Sequence, residues 1–96
     1  MYWLLLYEVV DDYLERRAAF RADHLALASE AFDRGVLMMA GALADPADGA
    51  VLVFEGDDES SAVAFAERDP YVRNGLVTSW HVRQWTVVIG PGIPPP

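Results

Sequence analysis

Apolar residues in this chain gather into four dense runs, separated by two stretches in which they recur every three or four residues. Tyr2 to Val10, rich in aromatic and branched side chains, reads as a buried strand. Asp11-Asp12 then starts a helix, with Asp12 as N-cap and Glu15 placed as in a capping box that has Asp in the Ser/Thr position. Leu14, Ala18, Arg21, Leu25, Ala28 and Phe32 follow at helical spacing, giving one apolar stripe with an Arg inside it. Arg34-Gly35 closes the helix, Gly at C′ and Arg facing the negative end of the dipole. Val36 to Ala44 and Ala50 to Glu55 read as two strands joined by the turn residues Asp45 to Gly49. A second helix is expected over Glu59 to Arg68, with Ala62, Phe65 and Ala66 facing inward. Asp69-Pro70 breaks it, because a proline disfavours helical geometry at the residue before it. Asp69 can then cap one further turn with Pro70 at N1 and Gly75 at its end. Val77 to Ile89 is expected as a long last strand, ahead of a Pro-rich tail over residues 91–96 that can join neither helix nor sheet interior.

The element order β-α-β-β-α-β, with right-handed crossovers, predicts an α+β domain over residues 1–90. It is a ferredoxin-like βαββαβ sandwich, with two helices on one face of a four-stranded antiparallel sheet. A sheet face left open to water should alternate polar residues, and this one does not. Tyr2, Leu4 and Leu6 share one face of the first strand; Trp3, Leu5, Tyr7 and Val9 share the other. In the second strand Val36, Met38 and Ala40 oppose Leu37, Met39 and Leu43. An open apolar face of that size predicts a homodimer built on it.

Composition narrows the function classes. The net charge is −8 and all seven basic residues are Arg, so nucleic acid and anionic membrane are excluded as expected partners. The absence of Cys removes disulfides, thiolate catalysis and cysteine-based zinc sites. The apolar start, Met1 to Glu8, lacks a basic leader and a cleavage site and is too short to span a bilayer, so the expected compartment is cytoplasmic. Phosphate-binding glycine loops, a serine-hydrolase elbow and paired histidines at metal spacing are all missing, so neither nucleotide nor metal is expected.

What remains is small in number. His24 sits mid-helix beside the stripe, three residues after Arg21 and two turns after Arg17. These are three hydrogen-bonding groups along one edge of an otherwise apolar helix. Boundary packing, with the Arg side chains reaching to solvent, accounts for the same pattern. Asp69 is explained by capping alone, yet it also falls at a break between helical pieces, where a side chain can point into a cavity. His81 shares a face with Ser79, Arg83 and Trp85 in the last strand and reads as part of a wet rim or a dimer surface.

Leu14-Glu15-Arg16-Arg17, Arg21-Ala22-Asp23-His24-Leu25, Asp33-Arg34-Gly35-Val36-Leu37 with Ala40-Gly41, and Asp69-Pro70-Tyr71-Val72 with Gly75 together resemble the successive motifs of the YciI-like (YCII-related) family. The likeness runs up to about Ile89. It implies the dimeric α/β-barrel superfamily with ferredoxin-like protomers, and a His–Asp pair that maps onto His24 and Asp69. It also implies a pocket with Arg17, Arg21, Gly41 and Tyr71 nearby. One member of the family removes chloride from a chlorinated hydroxyquinol, and the wider superfamily includes muconolactone isomerases and small monooxygenases. Two departures concern the pocket rim: Gln84 stands where the family usually has Pro, and Ser79 where some relatives carry His.

These readings converge on a small cofactor-free acid–base enzyme, lyase- or isomerase-like, acting on an anionic or phenolic ring compound. His24 would move the proton, Asp69 would fix its tautomer, Arg21 with Arg17 would hold an anionic oxygen, and Tyr71 would donate to a developing enolate. Two alternatives stand beside it. One is a non-catalytic small-molecule-binding or accessory domain in which the pair only shapes a pocket. The other is a monooxygenase of the same superfamily.

Overall fold

In a computed structural model that describes residues 1–95, the elements run β1 (Tyr2–Val9), α1 (Tyr13–Arg16), a 3-10 turn (Arg17–Ala19), α2 (Arg21–Asp33), β2 (Leu37–Ala42), β3 (Gly49–Glu55), α3 (Ser60–Arg68), α4 (Pro70–Arg73) and β4 (Val77–Trp85). The four strands form one antiparallel sheet in the order β2-β3-β1-β4, the ferredoxin-like arrangement, with the helices on one face. Pro96, the last residue of the expected tail, lies outside the described residues. No helix among the described residues is long and apolar enough to cross a membrane.

Period-two alternation sorts the sheet. Leu5 and Tyr7 of β1 pair with Leu52 and Ala50 of β3 and with Val82 and Trp80 of β4, and this set faces the helices. The core lies there: Leu5, Leu52, Phe54, Phe65, Tyr71 and Leu76 are all nearly or fully inaccessible. Truncating a side chain such as Leu52 to Ala would cost about 2–5 kcal/mol through lost transfer energy and the cavity left behind. Gly49 is fixed by close packing at the site end of the sheet: a Cβ there would lie 2.8 Å from the Tyr7 carbonyl oxygen.

Turn chemistry sets the remaining boundaries as expected at two places. Gly35 ends α2 with φ +79° and Gly75 ends α4 with φ +77°, conformations that cost glycine little. At Asp69 the backbone is extended (φ −66°, ψ 122°) because Pro70 excludes helical geometry there. The hairpin between β2 and β3 closes with Leu43 N–H donating to Gly49 O at 2.8 Å.

Five expectations need correction. The first helix is not continuous: it breaks at Phe20 (φ −118°, ψ −1°), so α1 and α2 are separate pieces joined by the 3-10 turn. Asp12 makes no side-chain cap bond, and the capping box does not form. Of the expected stripe Leu14, Leu25 and Phe32 are exposed and Ala28 packs against the core, where Tyr13, Ala31 and half-buried Phe20 and Leu27 join it. The break shifts the phase of the helix, so a stripe drawn through both pieces follows neither. Met38 sits in a register shift of β2, which puts Leu37 and Ala40 on the helix side and Met39 on the open face. β4 stops at Trp85, beyond which Pro91 and Gly92 form a turn closed by Ile93 N–H to Gly90 O.

Candidate functional site

Asp69 holds two posts at once. Its N–H closes α3 by donating to Phe65 O, and its carboxylate caps α4 by accepting from Tyr71 N–H at 3.0 Å. The extended backbone that Pro70 imposes turns the side chain back under α2. There it meets His24, one turn into α2, with His24 Nδ1 2.8 Å from Asp69 Oδ1. The second carboxylate oxygen, Oδ2, accepts from the Tyr7 hydroxyl at 2.7 Å. Asp69 is wholly buried, whereas 15% of the His24 side chain stays exposed. Three donors thus satisfy a carboxylate removed from water, which is the condition for keeping one there.

A carboxylate oxygen accepts, so His24 Nδ1 is the donor of this contact and Nε2 is the ring atom turned away from Asp69. The imidazole lies flat on the Tyr71 ring (centroids 3.9 Å apart, 11° between planes) and meets the edge of Phe65 at 6.3 Å. Hydrogen bond and stacking together leave the ring little freedom.

A cavity of about 560 Å³ opens between α2 and β2, and His24, Tyr71, Tyr7, Arg17, Arg21 and the backbone of Gly41 all line it. Arg17 also sits over the Tyr13 ring at 5.4 Å from its centroid, a cation–π contact that holds its guanidinium at the wall. The exposed residues of the expected stripe, Leu25 and Phe32, turn out to line this cavity with Ala40. Gly41 pairs with Val51, so its missing side chain would project on the open-face side and not into the cavity. Nothing lies within 4 Å of a Cβ built there.

The Tyr71 hydroxyl is buried and has no hydrogen-bond partner. Burial, then the neighbouring Tyr13, raise its pKa, while the Arg21 and Arg17 guanidinium groups pull it back. Tyr7 is raised well above the ordinary phenol value by burial first and then by the Asp69 charge and the hydrogen bond to it. Both hydroxyls therefore remain neutral donors at ordinary pH. Among the described residues no group of three or more His, Cys, Asp or Glu side chains could hold a metal ion.

All six residues singled out from the sequence, His24, Asp69, Arg17, Arg21, Gly41 and Tyr71, lie in or directly behind one cavity. Tyr7 and Tyr13 escaped notice. The parity of Tyr7 with Leu5 was the available signal, since it puts the hydroxyl on the helix side of the sheet.

The YCII-related domain family matches residues 1–86, nine-tenths of the chain. The chain belongs to that family. The solved structure of a 5-chloro-2-hydroxyhydroquinone dehydrochlorinase from Burkholderia phenoliruptrix, in complex with 2,5-dihydroxybenzoquinone, superposes with a TM-score of 0.74 at 21% identity. It covers 90% of this chain and 94% of that one, and at this identity the likeness establishes the shared fold of the YCII-related domain. No curated protein matches the chain in sequence.

Proposed function

We propose that this YCII-related domain is a small acid–base enzyme, lyase- or isomerase-like, for hydroxylated or anionic ring compounds, with His24 as general base and Asp69 as its orienting partner. The observation that carries the reading is the 2.8 Å His24–Asp69 contact at the wall of a solvent-reachable cavity. A pair needed only for packing would be sealed, and His24 is not. Nε2 would take a proton from a ring hydroxyl, and the imidazolium formed would sit against the Asp69 carboxylate. Arg21, with Arg17, would hold the developing oxyanion, and the unpartnered Tyr71 hydroxyl would donate to it. Loss of HCl from a chlorinated hydroxyquinol is one reaction of this class: His24 would move a ring-hydroxyl proton to the chlorine-bearing carbon, giving the keto tautomer, and would then take a second hydroxyl proton as chloride leaves with the C–Cl electrons, giving a hydroxyquinone. No oxidant or cofactor is required for that balance. General acid–base catalysis contributes about 10²–10⁴-fold, in keeping with proton shifts on an already acidic substrate.

The same reading includes a two-fold dimer through the open sheet face. Leu4, Leu6 and Val51 are half-buried there, and Met39 (68%) and Trp85 (48%) are exposed, beside a rim of His81 and Arg83. The experiment that tests the enzymatic reading is chloride release from 5-chloro-2-hydroxyhydroquinone, together with turnover of a panel of hydroxylated ring acids. Wild type and His24→Gln would be assayed side by side. The reading expects turnover of at least one compound that His24→Gln abolishes with fold intact. Equal rates for the two proteins would refute it.

A further inference from the structure

We infer that Tyr7 is a positioning residue for His24, acting through the Asp69 carboxylate; this rests on the acid–base reading of the same site. The torsion that turns an aspartate carboxylate about its Cβ–Cγ bond is soft and broad. One anchored oxygen therefore does not define the plane of the group. Tyr71 N–H and His24 share Oδ1, and neither touches Oδ2. The Tyr7 hydroxyl, at 2.7 Å from Oδ2, is the second anchor that fixes the plane and with it the lone pair presented to His24.

The anchor is itself held firmly. β1 is an inner strand, and Tyr7 is paired on both sides, with Ala50 of β3 and Trp80 of β4. Asp69, by contrast, hangs from a joint between two helices. The Tyr7–Asp69 bond thus ties the helix layer to the sheet at the one point where His24 needs a fixed partner. Core packing alone would be served by a phenylalanine at position 7. The raised pKa of Tyr7 keeps the hydroxyl a donor wherever the domain is folded.

Nitrogen NMR of histidine-labelled protein tests this without any substrate. The chain has two histidines, and His81, exposed on the open sheet face, serves as the internal reference. Wild type should show His24 as a single tautomer protonated at Nδ1. In Tyr7→Phe the His24 ring signals should shift and its Nδ1 proton should exchange with water about tenfold faster, the worth of one hydrogen bond to a charged group. The His81 signals should stay in place. His24 signals that superpose on wild type overturn the inference, whatever happens to Tm, because a structural role alone would lower Tm without moving them. If Tyr7→Phe does not fold, a ring-fluorinated tyrosine placed at position 7, a stronger donor of nearly the same shape, must move the same signals; unchanged signals overturn it equally. Failure of the two claims is separable. Full turnover by His24→Gln with moved Tyr7→Phe signals sinks the acid–base reading and leaves the coupling, whereas an inactive His24→Gln with unmoved signals does the reverse.

Discussion

Replacing Asp69 separates what its charge does from what its shape does. In Asp69→Asn the side-chain oxygen can still accept from Tyr71 N–H and from His24, and the new amide can donate to the Tyr7 oxygen. Only the Tyr7 proton is then left without an acceptor, a loss of about 1 kcal/mol. In Asp69→Ala the cap of α4 is lost, worth about 1 kcal/mol. The Tyr7 hydroxyl also becomes a buried orphan at about 1–3 kcal/mol more, while His24, partly exposed, can turn to water. The alanine variant should therefore lose about 3 kcal/mol in all, a large share of the stability of a domain this small. Urea unfolding followed by tryptophan fluorescence, at one fixed protomer concentration, reads the difference directly. With a slope of about 2 kcal/mol per molar, the midpoint should fall by about 0.5 M for Asn and about 1.5 M for Ala. The slope itself should not change. Equal midpoints for the two variants, or a loss under about 1 kcal/mol for Ala, would refute the view that Asp69 ties helix, histidine and sheet together.

Arg21→Gln should lower kcat/KM for anionic ring compounds about fivefold, with kcat falling as well, because the exposed guanidinium holds the oxyanion that develops on proton transfer; an unchanged kcat/KM counts against that role. Alkaline unfolding should carry a Tyr7 signature. Its phenol is raised in the fold, so above pH 10 the unfolded chain loses a proton that the folded chain keeps, and stability falls as pH rises. The loss attributable to Tyr7 is about 1 kcal/mol between pH 10 and 11 and should vanish from the stability–pH curve of Tyr7→Phe. Leu6→Glu, which puts a charge on the open sheet face, should convert a sedimenting dimer into a monomer; a wild-type monomer at micromolar concentration would remove the dimer, whose interface should bury more than about 1,000 Å².

The fold was legible because its punctuation is local. Arg34-Gly35 and Asp69-Pro70 with Gly75 each force one backbone geometry, and the strand runs between them had nowhere else to go. The break at Phe20 was not, since neither glycine nor proline marks it. Without the break, the apolar stripe through Leu14, Leu25 and Phe32 looks like the inward face, when two of the three line the cavity. The register shift at Met38 and the early end of β4 depend on neighbouring strands and leave no trace in their own residues. His24 and Asp69 stood out in the chain as polar groups in an otherwise apolar or structural setting, but boundary packing and capping explained each alone, and their pairing came from the family resemblance. Tyr7 did not stand out, because an aromatic residue in a strand of leucines reads as core until its partner is known.

The central claim is that His24 and the wall around it form a site for a hydroxylated ring. Its most direct test is the crystal structure of the protein soaked with 2,5-dihydroxybenzoquinone. A ring oxygen within hydrogen-bond distance of His24 Nε2, with a second accepting from the Tyr71 hydroxyl, is the predicted result. Density for the ring elsewhere on the domain, with the cavity beside His24 filled only by water, would contradict it.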